Sequence, residues 1–195
     1  FDGRQGKPYL PSDKVSPLSV YGRSKAASEK EILNVLANKA FIMRTSWVYA
    51  PIGNNFVTKI LRLHEERDHI NVIVDQVGVP TSTFTLARAC WKLLELKSKG
   101  EENFVTPIFH WTDGGVASWY DFAEAIGQLG QELGFFEKKA KVYPIPSSEF
   151  PALARRPSYS VLDCASSRQQ LGLESIHWLH ALRKVLFLKS NKSFV

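Results

Sequence analysis

Ala40-Phe41-Ile42-Met43-Arg44-Thr45-Ser46-Trp47-Val48-Tyr49 is an apolar, β-rich stretch lying directly after a helical pattern, and that junction decides the fold. It reads as a buried strand ending in Thr45-Ser46-Trp47. Upstream, Ser16-Pro17 predicts a cap with proline at the first helical position. The helix runs to about Asn38, with Tyr21, Lys25, Ser28, Ile32 and Leu36 down one stripe. Downstream, Asn54 or Asn55 caps a helix reaching about Arg67, and the β-branched run Ile70 to Val74 reads as a strand.

The same grammar then recurs. Thr83 to Lys97 has helical spacing, Ile108 to Trp111 reads as a strand, and Ser118 with Asp121 forms a variant capping box. Val142 to Ile145 is a strand, and Ser147 to Ala154 a turn or short helix. Asp163 caps a helix that Gly172 ends, and a last helix spans about Ile176 to Leu188. Helices alternating with short buried strands make the class α/β.

The 195 residues suit one medium domain or two small ones, and 44% hydrophobic against 23% charged residues excludes wholesale disorder. No apolar run reaches the roughly 18 residues of a membrane span, and no signal-peptide pattern opens the chain. The only methionine is Met43, and Phe1 stands first, so the sequence reads as a fragment, a processed product or a trimmed chain. Its net charge of +6 favours anionic partners. The basic residues are scattered, without zinc-finger spacing or an RNA-binding signature, so a phosphate-bearing small molecule fits better than nucleic acid. Cys90 and Cys164 stand alone as packing residues, which sets a reduced, cytoplasmic environment as the expectation.

Tyr21 and Lys25 are four residues apart and therefore neighbours on one helix face. Such a pair suits ketone reduction: an arriving hydride leaves an alkoxide that needs a proton, and a nearby ammonium makes a phenol a better acid. By its spacing alone the pair reads more readily as a solvated helix pair.

The surrounding text goes further. Phe1-Asp2-Gly3 and Pro8-Tyr9 precede Pro17-Leu18-Ser19-Val20-Tyr21-Gly22-Arg23-Ser24-Lys25 and Glu29. Arg44-Thr45-Ser46-Trp47-Val48-Tyr49 and Gly53-Asn54-Asn55-Phe56 follow. Then come Asp75-Gln76-Val77-Gly78-Val79-Pro80-Thr81, Ser118-Trp119-Tyr120-Asp121-Phe122-Ala123 and Ala154-Arg155-Arg156-Pro157. In this order they resemble the dTDP-4-dehydrorhamnose reductase family of extended short-chain dehydrogenase/reductases, from Phe1 to about Leu182.

The resemblance implies the later part of an NAD(P)-binding Rossmann domain in residues 1–50. Residues 51–195 would be mainly a smaller α/β substrate-binding lobe, with a crossing back to the Rossmann sheet. It implies NADPH or NADH as cofactor and a dTDP-sugar as substrate, with the C4 ketone reduced. Tyr21 would be the proton donor, and Lys25 its charged partner and a ribose ligand. Trp47 would pack its indole on the sugar; the residues alone equally allow core packing at a strand end. Asn54 and Asn55 divide between substrate and helix cap, and Gln76, Gly78, Pro80 and Thr81 form a loop near the sugar cleft. Arg155 and Arg156 are candidates for the diphosphate, one of them at most. Trp119 and Tyr120 anchor a helix.

His110 and the His177/His180 pair lack a third ligand at suitable spacing, so no metal site is expected. Where the family can carry a glutamate for a metal-linked dimer, this chain has Phe84; a homodimer of another kind stays open. No strand–glycine-loop–helix unit for dinucleotide phosphates occurs, and the hydroxyl that polarises the family's substrate carbonyl would fall before Phe1. The expectation is a carboxyl-terminal portion that alone neither binds NADPH tightly nor turns over. Alternatives are another nucleotide-sugar reductase or epimerase, a non-catalytic regulatory relative, and an oligomerising fragment without activity.

Overall fold

The computed structural model describes residues 1–101, 104–150 and 156–191. Its helices are α1 (Val20–Leu36), α2 (Phe56–Glu66), α3 (Thr83–Lys99), α4 (Trp119–Glu132), α5 (Ala165–Leu171) and α6 (Trp178–Ser190). The strands are β1 (Ile42–Arg44), β2 (Val48–Tyr49), β3 (His69–Ile73), β4 (Val77–Gly78), β5 (Thr81–Ser82), β6 (Ile108–His110), β7 (Ala117–Ser118) and β8 (Lys141–Ile145). The architecture is α/β with parallel pairing in β1–β6, β2–β5 and β3–β8; only β4–β7 is antiparallel among the described strand pairs.

Two apolar cores organise these elements. The larger one gathers Ile70, Val72 and Val142 of the β3–β8 pair with Val57 and Ile60 of α2, Phe122 and Ile126 of α4, and Leu182 and Val185 of α6. The smaller one packs Ala89 and Leu93 of α3 and Leu171 of α5 against Phe109 of β6 and Trp111. Because β6 registers with β1, Ile42 facing Ile108 and Arg44 facing His110, the chain returns to its first strand after visiting the larger core.

Local capping chemistry accounts for most helix ends. Asn55 and Thr58 close a capping box on α2, Ser118 and Asp121 close one on α4, and Gly172 ends α5 in the left-handed conformation. The start of α1 differs from the sequence expectation. Its cap is Ser19, whose hydroxyl accepts from the Gly22 amide, so the helix begins at Val20. Pro17 instead folds over the first turn, against the spot a side chain on Gly22 would fill.

The expected stripe on α1 is also not buried: this helix contributes no buried residue, and Tyr21 is 71% exposed. Nor is Ala40 to Tyr49 one continuous buried strand. Trp47 sits at φ 47°, a conformation unusual for a bulky side chain, and breaks the run into β1 and β2. The Trp47 carbonyl accepts from the Thr81 amide, which hands the chain from β6 as neighbour to β5.

Candidate functional site: a cationic, aromatic cleft

The first residues are stitched to the segment after Arg156. The Tyr9 amide donates to the Val161 carbonyl, and the Asp163 amide donates to the Tyr9 carbonyl. The Tyr9 hydroxyl accepts from the Gly3 and Arg4 amides and donates to Asp2 Oδ1 at 2.7 Å. That bond holds the Asp2 carboxyl below the ordinary carboxylate range. Gly3 lies at φ 74° with its α-carbon against Pro157, where a Cβ would come within 2.4 Å of the proline ring. Asp2 and Arg4 thereby reach the same place as Arg156, far away in sequence.

That place is a cavity of about 860 Å³, within the usual size of small-molecule sites. One wall is a stripe of α2 at helical spacing, Phe56, Lys59, Ile60 and Leu63. The β3 end, Gln76 and Trp119 form another. Arg4, Lys59 and Arg156 give the lining three cations against one carboxylate, Asp2. Phe56, Trp119 and Phe150 supply aromatic surface. A cleft with both features suits a ligand carrying phosphate and flat or deoxygenated rings.

The expected site residues divide. Gln76 and Arg156 line the cavity. Trp47 does not; its ring stacks on Trp119 with centroids 3.5 Å apart and planes 8° from parallel. The Asn55 side chain is taken up by the cap, accepting from Val57 and Thr58 and donating to the carbonyls of Ala50 and Ile52, while Asn54 is exposed. Neither asparagine is in the cavity wall. Arg155 lies outside the described residues.

Tyr21 and Lys25 stand side by side on the first turns of α1, the Lys25 ammonium 5.6 Å from the Tyr21 ring centre. They are outside the lining, but Leu18, just before the α1 cap, is in it. Both side chains are exposed. Gly127 and Gly130 sit inside α4, closed over by His64 and Phe136, and form no phosphate loop. Among the described residues, the Tyr21–Lys25 end is where a nicotinamide cofactor would be met.

Among the described residues no group of three or more His, Cys, Asp or Glu side chains is placed to hold a metal ion. His110 is fully buried, with Nδ1 3.0 Å from the Tyr9 carbonyl, and burial together with the Arg44 guanidinium pushes its pKa down to about 4. His177 caps α6 by accepting from the Leu179 amide. No helix among those described is long and apolar enough to cross a membrane.

Residues 1–190 match the model of the RmlD substrate binding domain. The chain belongs to that family. Members similar to it include a dTDP-4-dehydrorhamnose reductase of Aggregatibacter actinomycetemcomitans, 37% identical over 95% of this chain and 62% of the relative. Among solved structures, a dTDP-4-dehydrorhamnose reductase of Clostridium acetobutylicum superposes with a TM-score of 0.82 at 36% identity, covering 96% of this chain and 62% of that one. The enzyme of Bacillus anthracis, solved in complex with NADP, gives 0.83 at 33% identity, over 95% and 61%. The RmlD-family chain thus spans about three-fifths of the length of the relatives it matches.

Within this family member, sequence reasoning missed Asp2, Arg4, Phe56, Lys59 and Trp119 as cavity residues. Phe56, Lys59, Ile60 and Leu63 repeat at i, i+3, i+4 and i+7, a helical face interrupted by a cation, and that pattern was the available signal for the α2 wall. Asp2 and Arg4 carried no such signal, because their partner segment is distant in sequence.

Proposed function

We propose that this chain is the substrate-binding portion, with the Tyr-Lys helix, of an NAD(P)H-dependent dTDP-4-dehydrorhamnose reductase. The reaction would convert dTDP-4-dehydro-L-rhamnose to dTDP-L-rhamnose by reduction at C4. The observation that carries the reading is the cleft in which Arg4, Lys59 and Arg156 meet Phe56 and Trp119 in a chain of the RmlD family. The guanidinium forks and the ammonium match a diphosphate, and the aromatic faces match the base and the deoxysugar. When bound, NADPH or NADH supplies the hydride.

Tyr21 donates the proton to the substrate oxygen, and Lys25 beside it would hold the cofactor ribose. Residues 1–50 close the nucleotide-binding domain and residues 51–195 form mainly the substrate lobe, with β6 crossing back to β1. Without a phosphate loop among the described residues, residues 1–195 alone are expected not to turn over.

Calorimetric titration with dTDP-L-rhamnose tests the reading. Binding is expected, weakened by Arg156→Ala and by added salt, with no NADPH oxidation in the presence of dTDP-4-dehydro-L-rhamnose. A chain that ignores dTDP-L-rhamnose contradicts the substrate assignment, and turnover by residues 1–195 contradicts the incomplete machinery.

A further inference from the structure

Gln76 is 8% exposed and lines the cavity, and its Oε1 accepts from the indole N–H of Trp119 at 3.2 Å. An indole nitrogen only donates, so this bond fixes which end of the amide faces Trp119. The NH2 group is thereby turned the other way, and it has no hydrogen-bond partner among the described residues. A largely buried glutamine thus keeps an amide nitrogen that no protein group pairs and that solvent still reaches, in the lining of an open cavity.

Trp119 is itself held. Its ring is stacked on Trp47, which keeps a left-handed backbone conformation to reach it. Trp47 has room only because Gly78 carries no side chain: a Cβ there would lie 2.5 Å from Trp47 Cε2. On the other flank, Phe56 leans on Trp119 with centroids 4.6 Å apart. The chain of contacts runs from Gly78 through Trp47 and Trp119 to the Gln76 amide.

We propose that Trp119 is a positioning residue that presents the Gln76 NH2 as a donor to an acceptor oxygen on the sugar ring, and that Trp47 acts by fixing Trp119. The inference rests on the nucleotide-sugar reading of the cleft. The sugar is the moiety named because the donor is a neutral amide adjoining an aromatic face, whereas the cations of the lining are the groups suited to phosphate. Trp119→Phe keeps an aromatic ring and removes the N–H, so the amide is free to turn. Gln76→Glu keeps the acceptor for Trp119 and replaces the donor by an acceptor.

The test compares dTDP with dTDP-L-rhamnose on the whole chain, since the two ligands differ by the sugar. In both variants the affinity for dTDP-L-rhamnose is expected to fall about tenfold, the scale of one lost hydrogen bond. The loss for dTDP should be clearly smaller than that for dTDP-L-rhamnose, and the thermal midpoint of Trp119→Phe should stay within a few degrees of the unmodified chain. Equal losses for both ligands, or no loss for either, overturn the proposal. If the unmodified chain binds neither ligand, the nucleotide-sugar reading fails by itself. The relay is then decided by the Trp119 indole N–H resonance, which must move in Gln76→Ala; an unmoved resonance overturns it.

Discussion

Arg44 grips Glu29 through three hydrogen bonds, from Nε to both carboxylate oxygens and from Nη2 to Oε2 at 2.7 Å. The pair ties α1 to β1, and Arg44 Nη1 adds a bond to the Pro11 carbonyl. Since α1 buries no side chain, this two-pronged ion pair is its main polar anchor to the sheet. It holds the helix that carries Tyr21 and Lys25.

Glu29→Ala removes the anchor and leaves the Arg44 guanidinium, 13% exposed, without its carboxylate. A charge-assisted contact of this kind is worth about 1.5–3 kcal/mol. Amide hydrogen exchange is expected to speed up along α1 by one to two orders of magnitude while α4 keeps its protection. Uniform change in both helices would contradict a local anchoring role.

Gly78→Ala places a methyl group 2.5 Å from Trp47 Cε2 and 2.6 Å from Ser160 Oγ. Neither neighbour is a free chain end, since Trp47 is stacked on Trp119 and the Ser160 hydroxyl donates to the Val77 carbonyl. Overpacking of this sort costs about 1–3 kcal/mol. A lowered urea midpoint together with altered tryptophan fluorescence is expected; a midpoint shift with unchanged fluorescence would mean that the stack survives.

Asn55→Ala removes the side-chain half of the α2 cap, the acceptor for Val57 and Thr58, together with the donor to Ala50 and Ile52, and keeps the backbone N–H that donates to Thr58 Oγ1. A destabilisation of about 1–2 kcal/mol is expected from loss of such a cap. Because the α2 stripe with Phe56 and Lys59 lines the cavity, dTDP-L-rhamnose binding should weaken as well. Asn55→Asp, which keeps the acceptor, should restore most of the stability.

Stability should fall as the solution is acidified from about pH 6.5 to about pH 4. His110 has an ordinary pKa of 6.5, while in the folded chain burial and Arg44 push it down to about 4. In that window the unfolded chain takes up a proton that the folded chain refuses, which favours unfolding by up to about 3 kcal/mol. His64, also lowered by burial, acts in the same direction. Asp113 is raised by burial, so it takes its proton first in the folded state and partly offsets the loss. Urea midpoints measured across this window should slope less steeply in His110→Gln; identical slopes would remove His110 as the cause.

Much of the local structure was legible before any tertiary contact was known. The caps at Asn55, at Ser118 with Asp121, and the Gly172 terminus follow from side chains bonding within one turn of themselves. The adjacency of Tyr21 and Lys25 is likewise a property of a single helix face. These interactions span three or four residues, so composition and spacing determine them.

The cavity is another matter. Gln76 and Arg156 were marked by their motifs, but Trp119 meets Gln76 across 43 positions and Ser158 bonds the Gly3 carbonyl across 155. The break at Trp47 depends on space that Gly78 leaves and on the ring of Trp119, none of which is adjacent in sequence. The start of α1 moved to Ser19 because a serine hydroxyl three residues before Gly22 captured that amide while Pro17 packed over the turn. The α/β alternation and the helix caps were therefore fixed by short-range chemistry written along the chain. Which side chains share a wall was decided only when parallel strand pairing brought β6 back to β1 and laid the first residues against the segment after Arg156.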